Sequence, residues 1–168
     1  MSLLIPLLAL AASQPVAPVE ITNFRFGLVC SHTRRTEDES GWICQPTQDI
    51  PITDQGSCIF NGEKKRCTWY GFEFAYKAAQ PGAKLQCTTQ ASRPFTAGNP
   101  SEELGESTTH SYELELEQRQ GRFFNPQYTV FAVRSKENSD IRHTTVCRSE
   151  GAVVFEYSFT ERYPVLEN

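Results

Sequence analysis

Apolar and polar residues alternate with a period of two along most of this chain, and that rhythm predicts strands rather than helices. Phe24, Phe26, Leu28 and Cys30 share one face of a segment whose other face carries Arg25, Gly27 and Val29. Tyr70, Phe72, Phe74 and Tyr76 repeat the pattern with four rings on one side, against Gly71, Glu73, Ala75 and Lys77. Leu85, Cys87 and Thr89 form a shorter example, and Tyr112, Leu114 and Leu116 alternate with Glu113, Glu115 and Glu117. Residues 127–134 predict a strand with both faces partly covered. Val153, Phe155, Tyr157 and Phe159 close the series, opposite Val154, Glu156, Ser158 and Thr160. Only residues 101–104 fit a helical turn, with Ser101 as its cap.

The breaks between these segments are short and rich in turn formers. Residues 118–122 join Leu116 to Phe123 and predict a hairpin, interrupted at Asn125-Pro126 before the next strand. Strands spaced by about ten residues with turn signals between them predict an all-β fold, an antiparallel β-sandwich or barrel. Eleven Phe, six Tyr and two Trp favour strands, and ten Gly with ten Pro supply turns.

The first thirteen residues break the rhythm. They are an apolar run ending in Ala11-Ala12-Ser13, small residues that suit a signal-peptidase site, so residues 1–13 read as a signal peptide. No basic residue precedes Arg25, which departs from the usual signal pattern; a buried strand or short helix is the competing reading. A membrane span needs about 20 apolar residues, and Gln14 and Pro15 end this run too early. Residues 14–20, with Pro15 and Pro18, read as an extended arm, and residues 21–168 as a single β domain.

Export makes the six cysteines a disulfide framework, and the expected location is periplasmic or extracellular. Six cysteines allow fifteen connectivities. The best-supported pair is Cys58 with Cys67, which face each other directly if Asn61-Gly62-Glu63-Lys64 is the connection between two short strands. Cys30 with Cys44 would close the charged loop from His32 to Gly41, and Cys87 with Cys147 would tie two segments distant in sequence. None of the spacings matches a zinc site or a redox pair.

The net charge of -4 and the absence of a dense basic patch disfavour nucleic-acid binding, because phosphate contacts need a concentrated cationic face. The chain carries no nucleophile elbow, no metalloprotease helix motif, no phosphate loop and no calcium loop, and no metal or cofactor is expected. His32, His110 and His143 stand apart in polar surroundings and read as solvated. The carboxylates of Glu113, Glu115 and Glu117 recur about 7 Å apart along one strand face and read as a solvated row.

Three functions fit these residues. The first is an exported, non-catalytic β domain that binds an unknown protein or envelope partner. The second is a carrier of a small apolar ligand in a cavity lined by Tyr70, Phe72, Phe74, Tyr76, Phe155 and Tyr157, although such stripes more often form the core. The third is a hydrolase of unfamiliar type built around one of the histidines.

Overall fold

The computed structural model describes residues 19–30, 41–97 and 105–166. These residues form ten strands in order: β1 (Val19–Val29), β2 (Ile43–Pro46), β3 (Asp49–Pro51), β4 (Gly56–Phe60), β5 (Glu63–Ala78), β6 (Ala83–Phe95), β7 (Ser107–Leu116), β8 (Gln120–Val130), β9 (Asp140–Ser149) and β10 (Ala152–Arg162). A 3₁₀ turn, Lys136–Asn138, precedes β9. The fold is all-β, and its two sheets pack as a sandwich.

The first sheet is organised by the long strand β5. Cys67 pairs with both Gly56 and Val130, so β4 and then β1 run along one edge of β5 while β8 occupies the other. β2 extends this sheet beyond β1. The second sheet has the order β3-β10-β9-β6-β7. Among the described residues every strand pair is antiparallel except β3 with β10.

Alternation delivers one face of each sheet to the interior. Phe26, Leu28, Phe72 and Phe74 from the first sheet meet Leu85, Leu116, Ile141 and Phe155 from the second. Non-directional burial of this area is what drives the two faces together.

Four expectations need correction. Residues 117–119 make no hairpin: β7 pairs with β6 in the second sheet and β8 with β5 in the first, so the chain crosses between sheets there. Asn125-Pro126 lies inside β8 rather than before it, because β8 is an edge strand whose outer side requires no ladder donor from proline. β1 begins at Val19, inside the expected arm. The β4–β5 turn is Asn61-Gly62 alone, with φ of 51° and 74°, the left-handed pair that a two-residue hairpin demands. This shorter turn sets Cys58 opposite Lys65 and Gly56 opposite Cys67.

The disulfides are Cys30–Cys44, Cys58–Cys67 and Cys87–Cys147. Cys58–Cys67 therefore joins diagonal positions, 6.0 Å apart at Cα. Cys87 and Cys147 are direct partners on β6 and β9. Residues 1–18, His32 with the charged residues up to Ser40, and the turn at 101–104 lie outside the described residues.

Candidate functional site

The six aromatic residues singled out from the sequence all lie in the core. Tyr70, Phe72, Phe74, Tyr76, Phe155 and Tyr157 are buried. Phe72 packs 5.7 Å from Phe155 and 5.4 Å from Tyr157, and Phe74 lies 5.3 Å from Phe155, measured between ring centroids. Phe24 fills the remaining side, within 5.1–5.8 Å of Phe72, Phe155 and Tyr157. Each ring is thus the wall of its neighbours. Tyr76 alone also borders a surface depression of about 390 Å³, beside Glu20, Thr22, Lys77 and Gln120.

Two of the three histidines are buried rather than solvated. β7 and β9 start early enough to carry His110 and His143 on their inner faces, where His143 is 2% exposed. Nε2 of His110 lies 2.9 Å from the Phe95 carbonyl oxygen. His143 stacks on Phe159 at 4.6 Å and meets the edge of Phe95 at 4.9 Å. Its Nε2 stands 3.4 Å from Oε2 of Glu161, too long for an ordinary hydrogen bond but close for an electrostatic contact.

Glu161 is 4% exposed, in phase with Phe155, Tyr157 and Phe159, and centres a polar cluster whose members were missed from the sequence. Its Oε1 accepts from the hydroxyls of Tyr70, at 3.1 Å, and Thr129; its Oε2 accepts from Tyr163 at 3.0 Å. Burial opposes the charge, yet the His143 contact and the hydroxyl donors outweigh it and hold the carboxyl below its usual range. The same burial, reinforced by the carboxylate, drives Tyr70 and Tyr163 well upward, so both remain neutral donors. This arrangement has a histidine and a carboxylate side by side, but both are inside the sandwich.

On the outer face of the first sheet stands a second cluster, also missed from the sequence. Glu73 projects away from the core and is still only 3% exposed, because the chain at Gly41–Trp42 lies over it. Its carboxylate pairs with Arg25 at 3.0 Å and Arg122 at 3.5 Å and accepts from the Trp42 amide at 2.7 Å. Trp42 stacks on Phe124 with centroids 5.1 Å apart and planes 8° from parallel, while the Arg122 guanidinium lies 4.8 Å over its ring. A side chain at Gly41, whose φ is 88°, would fall within 2.6 Å of both the Glu73 carboxylate and the Arg122 guanidinium. Glycine is required there. Along the same face, Trp69 packs 5.0 Å from Tyr128, with their polar tips bonded to the Ser57 and Ile59 carbonyls of β4. Both tryptophans of the chain are therefore on this face. The usable sequence signal was their position outside the alternating apolar set.

The acidic row behaves differently from a site. Glu113 is bound by Lys84 at 2.7 Å and by Gln86, which lowers its carboxyl, and Glu115 stands exposed on the edge strand β7.

No family model and no curated protein sequence matches this chain. Among solved structures it is similar to a glycosyl hydrolase family 2 member from Bacteroides cellulosilyticus, at 7% identity and a TM-score of 0.29. That superposition covers 66% of this chain and only 14% of the hydrolase, a likeness too partial to bear on fold or activity.

Proposed function

We propose that the protein is an exported, non-catalytic β-sandwich that binds a macromolecular partner or an envelope component through the outer face of the first sheet. The observation that carries this reading is the division of the aromatic residues. The rings that could have lined a ligand cavity pack against one another in the core, whereas Trp42 and Phe124, half-buried under an exposed Arg122, stand on the surface. Aromatic rings with arginine are the side chains that dominate contact energies at protein interfaces. Three disulfides support the exported part of the reading, since they persist in oxidising compartments.

A photo-crosslinking side chain at Pro126, exposed on this face, tests the proposal. Irradiation with envelope material from the producing cells should give a discrete adduct that Arg122→Ala abolishes. Equal adducts from Glu156 on the second sheet, or none from either position, would overturn it. Uptake of an apolar dye by the native protein separates the carrier reading: no stoichiometric uptake is expected, and saturable uptake would promote the carrier.

A further inference from the structure

The Glu161 cluster draws on both sheets. Tyr70 comes from β5 and Thr129 from β8, while His143 comes from β9 and Tyr163 directly follows β10. An ionised carboxylate offers only acceptor sites, which suit the three hydroxyls that donate to it. Once protonated, it presents an O–H of its own to the same hydroxyls and keeps only part of its acceptor capacity, so the charge-assisted bonds that joined the sheets are lost. Among the described residues the other titratable and charged groups around the cluster offer no second anionic acceptor: His143 faces Glu161 from β9, Arg134 stacks 3.8 Å over the Tyr163 ring, and His110, on β7, lies behind Phe95. We propose that Glu161 is an acid-sensitive clasp between the two sheets, closing this end of the sandwich at neutral pH and releasing it in acid before the aromatic end gives way.

The direction follows from linkage. A carboxyl held below its ordinary range in the fold contributes stability that is complete above its unfolded value and is lost as the pH falls through its folded value. The release therefore belongs below the usual carboxylate range, about pH 4. Each hydroxyl donor favours the ionised form, so removing one brings the release to higher pH.

Site-resolved hydrogen exchange on the intact, disulfide-bonded protein, taken from pH 7 to pH 2 and corrected for intrinsic rates, tests this. Amides near Thr129, His143 and Phe159 should lose protection at higher pH than those of Phe72, Leu85 and Leu116. Tyr70→Phe and Thr129→Val should each raise the midpoint of that first step by about one pH unit, the worth of a hydrogen bond to a charged group. Glu161→Gln should abolish the separate step, leaving both ends to open together. If Glu161→Gln fails to fold, the two hydroxyl variants decide alone. An unmoved midpoint in both, or an early step that survives in Glu161→Gln, would overturn the proposal.

Discussion

The two ends of the sandwich interior are both buried and are held by opposite means. At one end Phe72, Phe74, Phe123 and Phe155 meet ring against ring. At the other, Tyr70, Thr129, Tyr163 and His143 converge on the single carboxylate of Glu161. Phe72 is fully buried and Glu161 nearly so, so burial alone does not separate the two regions. Geometry does. Apolar contacts sum over many weak neighbours and tolerate small shifts, whereas a buried carboxylate stays stable only while its donors stand in place. The same contrast recurs at Glu73, where an outward carboxylate is covered by Trp42 and answered by two arginines.

The largest effect should come from the aromatic end. Phe72→Ala is expected to cost about 3–5 kcal/mol in chemical denaturation, because the surrounding rings cannot close the cavity it leaves. A loss below about 1 kcal/mol would mean that the rings do not bear on one another as the contacts imply.

At the polar end Tyr70→Phe removes no ring and should cost less, about 1.5–3 kcal/mol at pH 7, the range for hydrogen bonds to charged groups. The loss should shrink as the pH falls below the usual carboxylate range, where protonation of Glu161 removes the charge that the hydroxyl serves. A penalty independent of pH would show that the Tyr70 hydroxyl acts through its other partner, Thr129, and not through the Glu161 charge.

Between the two ends Thr89 and Thr145 share a buried hydroxyl bond of 2.8 Å across β6 and β9. Thr89→Val or Thr145→Val alone should destabilise by about 1 kcal/mol, and the double variant should cost less than the sum of the two, since neither threonine hydroxyl is then left facing a methyl group. A strictly additive double variant would place the coupling elsewhere.

The smallest effect belongs to the surface. Arg162 bridges Asp49 and Asp140 with all three groups exposed. Arg162→Ala should change stability by about 1 kcal/mol or less, and by less still in high salt.

Legibility followed the same division. The period of two was enough to show the fold class and to assign Phe72, Phe74, Phe155 and Tyr157 to one apolar set, because alternation is a local property of a pleated strand. Glu73 occupied an ordinary polar position in the alternation, whereas Glu161 falls in phase with Phe155, Tyr157 and Phe159, a signal that it points inward although nothing near it in sequence named its partners. Their partners lie far along the chain: Glu161 reaches Tyr70 across 91 positions, and Glu73 reaches Trp42 across 31. His143 was hidden in the same way, read as solvated for its polar neighbours although β9 turns it inward.

By itself, the order of residues determined what each strand could bury and where tight turns could form, such as Asn61-Gly62 with its two left-handed conformations. It also supplied the cysteines, whose reach limits which bridges can close. Only the tertiary structure decided that β7 and β8, neighbours in the chain, belong to different sheets, and that β5 carries β1 and β4 on one edge and β8 on the other. Strand pairing is a contest between distant segments, settled when both sheets bury their apolar faces together. The polar clusters follow from that outcome, because a carboxylate can be buried only where packing has already brought donors from several strands to one point.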